Sequence, residues 1–470
     1  MRVLIVTAGS LGDVAPYTGL GARLRAAGHR VALAAPAPYA DLVTRAGLEF
    51  RPVLGDLSAL RTGVPSRRRP GVPGAPGLVE FVRLGDRFVD GLGESIVTAA
   101  DSGVDVLLLS ASTAPLGYSV AQWLGVPSLG VFLQPVEPTR AFPPIVLGVR
   151  TLGGWGNRAA GRLGHRLGRR VYAHASRRLR SRLGLPQCDL ADLDRDAAVR
   201  GWPVSHGFSP TVLPRPPDWR PGLDVVGYWW PAPPVDWRPS PALRAFLAAG
   251  DAPVYVGFGS LADPGGRLYA MVRRALRRAG VRAIVQGAGA EAVPERSSDD
   301  PLDDGSGSGP DDGPGRAGSG DDQVLYVDDV PHGWLFPRMA AVVHHAGCGT
   351  TGAALRAGVA TVPVPMLADQ PFWAARLARL GVSPDVIPFR RLSAARLGDA
   401  VRAAVTDPAF GARARLLAAR LADEDGASAV VAGVDRLALC PVDRGLLRTA
   451  LWPQSQSRVT KLSDLNHVAA

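Results

Sequence analysis

The chain has 470 residues, enough for two domains of ordinary size, and no apolar run approaches the length that spans a bilayer. Cys188, Cys348 and Cys440 lie too far apart for a CxxC site or a disulfide framework, and the chain opens on the apolar stretch Val3-Leu4-Ile5-Val6, so a cytoplasmic protein is expected. Only Lys461 among the 53 basic residues is a lysine; this arginine bias fits a GC-rich genome and takes functional weight from the net charge of +11.

In the first half, short apolar runs at 3–7, 30–34, 105–110 and 128–132 alternate with amphipathic segments. That alternation predicts a parallel α/β domain over residues 1–212. After the first run, the turn Gly9-Ser10-Leu11-Gly12-Asp13 brings a carboxylate to a strand end, where the residues alone leave it open between a helix cap and a functional group. Residues 61–76, with Arg67-Arg68-Arg69-Pro70, break the pattern and read as a loop. Residues 150–182 hold no acidic side chain, while Arg158, Arg162, Arg166, Arg169, Arg170, Arg177 and Arg178 recur with Leu163, Leu167 and Leu179 at helical spacing. Such a helix can rest on an anionic membrane surface, making a peripheral contact at its inner face; a solvated helix face is the competing reading. Nucleic acid fits less well, because no base-stacking or groove-reading motif accompanies the charge.

Prolines and tryptophans crowd residues 213–245, which read as a linker. Apolar runs at 254–257, 283–285, 324–327, 340–343 and 361–364 then predict a second α/β domain over residues 246–440, followed by a tail over 441–470. Residues 295–322 fall to Asp, Gly, Ser and Pro and predict a disordered insertion, whose aspartates lack the spacing of a calcium loop.

The run at 340–343 ends in His344-His345-Ala346-Gly347-Cys348-Gly349-Thr350-Thr351. A strand, a turn of small residues and a helix start present unpaired N–H groups and a partial positive charge, which suit a diphosphate. The imidazole of His345 can donate to a phosphate oxygen. Further on, Asp369-Gln370 offers acceptors and a donor together, the combination that vicinal hydroxyls require, although a helix cap before Pro371 is an equally valid role.

Together with Gly9 to Tyr17, Gln134 to Pro143, Gly207-Phe208-Ser209-Pro210, Gly227-Tyr228-Trp229, Gly257-Phe258-Gly259-Ser260 and Val330 to Pro337, these motifs resemble, in order along nearly the whole chain, the sterol 3-β-glucosyltransferases and bacterial antibiotic glycosyltransferases. The resemblance implies the α/β GT-B fold, two Rossmann-like parallel-sheet domains facing a cleft. It implies that His345, Gly349, Thr350 and Ser260 contact a nucleotide-sugar diphosphate, that His332 lies against the base, and that Asp369 and Gln370 hold sugar hydroxyls. Ser10, Gly12, Gly259, Gly347 and Thr351 join the donor side. Asp13 becomes the general base, and Gln134 and Phe142 line the acceptor pocket. A carboxylate serves an alcohol as base because proton transfer runs late.

The reaction so implied is inverting transfer of a hexose, with UDP-glucose as the expected donor, to a hydroxyl of a hydrophobic aglycone such as a sterol, polyketide or lipid. It needs neither metal nor other cofactor if protein donors neutralise the leaving group. A TDP-deoxysugar donor, a nucleotide-sugar epimerase and a non-catalytic binding homologue are the alternatives. Two positions depart from the family's usual His-His-Gly-Gly-Ala-Gly-Thr-Thr, namely Ala346 and Cys348, and a left-handed Ala346 costs about 1 kcal/mol. Ala353 stands where plant relatives place a ribose-binding glutamate.

Overall fold

Val3 to Val6 form a run without polar alternation because a central strand of a parallel sheet is covered on both faces. In the computed structural model, which describes residues 1–55, 89, 91–147, 151–232, 234, 236–259, 266–287 and 323–439, that run is β1 (Arg2–Val6). With β2 (Arg30–Ala35), β3 (Glu49–Pro52), β4 (Val106–Leu109), β5 (Ser128–Phe132), β6 (Val204–His206) and β7 (Leu223–Val225) it makes an all-parallel sheet in the order β3-β2-β1-β4-β5-β6-β7. A second parallel sheet contains β8 (Val254–Gly257), β9 (Ala283–Gln286), β10 (Val324–Val327), β11 (Ala341–His344) and β12 (Ala360–Pro363), in the order β10-β9-β8-β11-β12. The strand order reverses between β1 and β4 in one sheet and between β8 and β11 in the other, and open α/β sheets bind ligands beyond strand ends at such points. The turn carrying Asp13 follows β1, and the histidine turn follows β11.

Two expected boundaries change. β7 pairs with β6, so the first sheet reaches into residues 213–245. The rest of that stretch is no free spacer: Tyr228 and Trp229 are buried, and Trp229 Nε1 donates to Gly426 O at 3.2 Å. The helix Gly426–Leu439, read as part of the second domain, returns to the first, where Ala427, Val430 and Val434 join the core of Val14, Tyr17, Leu20 and Leu24. Their spacing of three and four residues puts one apolar stripe on one helix face. The loop at 61–76, the insertion at 295–322, the tail at 441–470, Ser260 and Cys440 lie outside the described residues.

A shared aromatic core joins the domains. Phe132, Phe142, Phe208 and Trp219 of the first domain cluster with Leu355, Phe372, Trp373 and Leu377 of the second. Phe142 meets Phe372 edge to face at 5.2 Å, and Phe208 meets Trp373 at 5.7 Å. The contact extends to Gly19 of the helix Leu11–Ala26, where an added Cβ would lie 1.5 Å from Trp230 O. Gly19→Ala is therefore expected to destabilise the chain by about 3 kcal/mol, near the upper end for overpacking, because the obstacle is backbone. Chemical denaturation measures this, and an unchanged midpoint would contradict so close a docking of the linker.

Candidate active site

β11 ends in His344, whose side chain is completely buried. The Ala346 N–H donates to His344 Nδ1 at 3.1 Å, which puts the ring proton of the neutral imidazole on Nε2. Burial first, then the neighbouring His345 and His332, push its pKa down to about 3, so it stays neutral. His344 thus ties down the turn, and His345, half-buried, is the histidine that reaches the opening. An added Cβ would approach the His345 ring to 3.1 Å from Gly259 and to 2.6 Å from Gly347. These two glycines are accounted for by the imidazole packed between them.

The helix Cys348–Ala357 starts behind an extended Gly347 that offers no side-chain cap, which leaves its first N–H groups open to an anion. Gly349 is exposed and Thr350 half-buried at this start. Thr351 needs correction: its side chain is fully buried and cannot touch a donor. Adjacent helical positions point about 100° apart, so only one of two consecutive threonines can face the opening. His332 stacks on Phe336 with centroids 4.3 Å apart and 15° between planes, and lies 3.4 Å from the Tyr255 hydroxyl. Burial, then His345, lowers its pKa to about 4, leaving a neutral flat ring.

The loop before the helix Gln370–Arg379 is wound around an amide, since Gln370 Oε1 accepts from the N–H groups of Met366 (2.9 Å) and Leu367 (3.1 Å). One turn on, the indole of the buried Trp373 donates to Asp369 Oδ2 at 2.9 Å. Asp369 Oδ1 and the Gln370 NH2 group are the atoms these bonds do not occupy. Burial, opposed by the Trp373 hydrogen bond and reinforced by the charge of Asp13, raises the Asp369 carboxyl to about 6. Ala346 (φ 63°) and Ala368 (φ 56°) are the non-glycine residues with positive φ among those described, and both sit in these two turns.

Asp13 stands opposite as the third residue of its helix. Its Oδ2 accepts from the Ser10 N–H and the Ser10 hydroxyl, each at 2.9 Å, while Gln134 Nε2 donates to Oδ1 at 3.3 Å. The N-cap is Ser10 rather than Asp13: one Asp13 oxygen closes the capping box from the third helical position, and the other accepts from Gln134. Ser10 serves Asp13, and Gly12 is exposed beside it. Gln134, expected at the acceptor, positions the carboxylate. Phe142 is buried against Phe372 in the interdomain core and also lines a cavity with Leu213, Pro216 and Arg376. Cys348 joins the two sides, its thiol donating to Leu133 O at 3.5 Å. Burial, then Asp369 and Asp13, push that thiol far up, and it remains protonated.

Sequence reasoning missed Trp373 and the holding role of His344. The separation of four residues between Asp369 and Trp373 was a readable signal, being one helical turn.

Residues 316–437 match the family described as Erythromycin biosynthesis protein CIII-like, C-terminal domain. The O-mycaminosyltylonolide 6-deoxyallosyltransferase of Streptomyces fradiae is 38% identical over 455 residues, covering 91% of this chain and 95% of the relative. The chain belongs to the glycosyltransferase family of antibiotic glycosyltransferases and sterol 3-β-glucosyltransferases. Within that family, the sterol 3-β-glucosyltransferase UGT80A2 of Arabidopsis thaliana is 32% identical over 441 residues, 92% of this glycosyltransferase and 64% of the relative. The solved glycosyltransferase of kitacinnamycin superposes with a TM-score of 0.63 at 19% identity over 93% of this chain and 98% of its own. SsfS6 of Streptomyces sp. SF2575, complexed with thymidine diphosphate, gives 0.59 at 22% identity over 93% and 99%. The fold of this glycosyltransferase is GT-B.

The geometry yields two stability predictions. Ala346→Gly should stabilise the folded chain, by about 1 kcal/mol or less, since relief of the left-handed methyl is partly offset by a freer unfolded chain. A lower denaturation midpoint in this variant would contradict the strain. Because the Asp369 carboxyl holds its proton more tightly folded than unfolded, its contribution favours folding below about pH 4 and is lost as pH rises through about 6. Asp369→Asn should therefore gain thermal stability relative to wild type between pH 4 and 7; parallel melting curves across that range would refute the raised carboxyl.

Proposed function

We propose that this glycosyltransferase is an inverting hexosyltransferase that moves glucose from UDP-glucose to a hydroxyl of a hydrophobic aglycone such as a sterol, polyketide or lipid. The observation that carries the reading is the arrangement of Asp13, fixed by Ser10 and Gln134, across from the turn that joins His345 to an uncapped helix start and from the separate loop that carries Asp369-Gln370. In the proposed reaction Asp13 accepts the proton of the acceptor hydroxyl as its oxygen attacks the anomeric carbon. The nucleoside diphosphate leaves from the opposite face, its charge met by His345 and the N–H groups at Cys348 to Thr350. His332 offers its flat, neutral ring to the base. Asp369 Oδ1 accepts from a sugar hydroxyl and the Gln370 NH2 donates to its neighbour, which requires vicinal hydroxyls and favours glucose. No metal or other cofactor takes part in this scheme.

A second reading is a TDP-deoxysugar donor, favoured by the 38% identity with a relative named as a 6-deoxyallosyltransferase. Thermal-shift titration separates the two: UDP-glucose should raise the melting temperature more than TDP-6-deoxyhexoses, and the reverse order would replace the first donor by the second. Asp13→Asn tests the base. It preserves the acceptor atom for Ser10, so donor affinity should stay within about twofold while turnover falls roughly 10²- to 10⁴-fold. Unchanged product formation in this variant would remove Asp13 from the mechanism. A new nucleotide sugar formed from UDP-glucose alone would instead indicate an epimerase.

A further inference from the structure

The helix Gly153–Arg182 has an inner face absorbed by the fold and an outer face that nothing in the proposed reaction uses. On the inner side, Asn157 Nδ2 donates to Arg140 O at 3.2 Å, His165 Nε2 to Val136 O at 2.9 Å, and the Tyr172 hydroxyl to Ser112 O at 2.9 Å. The fully buried Arg180 guanidinium bonds Ser119, Gln122 and Pro186. On the outer side, Trp155, Arg162, Leu163, Arg166, Leu167 and Arg170 follow one another at helical spacing and are all exposed. Five of the twelve exposed large hydrophobic side chains among the described residues are Val146, Leu152, Trp155, Leu163 and Leu167, with Trp155 at 80%. That is a cluster, not scatter.

The cations divide in the same way. Arg158, Arg169 and Arg182 are paired with Asp218, Asp194 and Glu94. Arg162, Arg166 and Arg170 form no ion pair among the described residues and lie beside the exposed apolar side chains. We propose that this outer face docks the glycosyltransferase peripherally on an anionic lipid bilayer. The arginines meet lipid phosphates while Trp155, Leu163 and Leu167 enter the headgroup boundary, where an indole is favoured. A nucleic acid would satisfy the arginines but leave the leucines in water. No helix among the described residues is long and apolar enough to cross a membrane, so the attachment is to the surface. The inner face rests on the loop running back to Gln134, the partner of Asp13, which would set the docked surface one loop away from the acceptor side.

The test is sedimentation of the full chain with phosphatidylcholine vesicles and with vesicles that also contain phosphatidylglycerol. Binding should require phosphatidylglycerol and weaken in high salt. Replacing Arg162, Arg166 and Arg170 together by Gln should weaken binding by well over tenfold, at about fivefold for each charge. Trp155→Ala should weaken binding with the charge unchanged, and unaltered melting temperatures in both variants would establish that they are folded. Absence of binding, equal binding to both vesicle types, or an unaffected Trp155→Ala would overturn the proposal. The last outcome would leave a surface read by charge alone, as for nucleic acid or an acidic protein.

Discussion

The indole of Trp373 connects the two things this molecule has to do at once, hold its domains together and aim a carboxylate. Its ring packs in the aromatic core against Phe208 of the other domain, and its Nε1 donates to Asp369. A buried carboxylate is costly without a partner, and this hydrogen bond is what makes Asp369 tolerable at the cleft. The same side chain that holds Asp369 therefore also fixes where its domain sits against the domain of Asp13. Phe372 repeats the coupling one residue earlier through Phe142.

The electrostatics of the site follow from this closeness. Asp13 and Asp369 belong to different domains, yet each raises the Cys348 thiol and the first contributes to the raised Asp369 carboxyl. His344 and His332 are kept neutral by burial, so they shape the turn and the flat platform without adding charge. In the proposed reaction, the helix N–H groups left without a side-chain cap give a diphosphate fixed positive potential that needs no reorganisation as charge develops. Two left-handed alanines mark where this arrangement costs backbone strain, and both lie in the turns that carry His345 and Asp369.

Much of this was legible from residue order. Continuous apolar runs separated by amphipathic segments announced parallel sheets, and Ser10 three residues before Asp13 carried a capping-box pattern that the structure combines with a second oxygen held by Gln134. The histidine turn also lies at the end of its strand, as the pattern implied. What stayed hidden was decided by contacts distant in sequence. An apolar residue does not say which surface it will meet, so the stretch around Trp229 read as a spacer although it is buried, and the pocket-lining Phe142 gave no sign of its place in the interdomain core. The return of the helix Gly426–Leu439 to the first domain has no local signature, because its apolar stripe would fit either core. Thr351 was misplaced because a motif written in one line does not show that neighbouring positions on a helix face different ways.

The central claim is that Asp13 activates an acceptor on the face of the sugar opposite the diphosphate cradle, in a single displacement. The anomeric configuration of the first-formed glycoside, followed by proton NMR during turnover of an α-linked nucleotide sugar, tests this most directly. A single displacement gives a β-glycoside from the earliest time point, whereas an α-glycoside would contradict it.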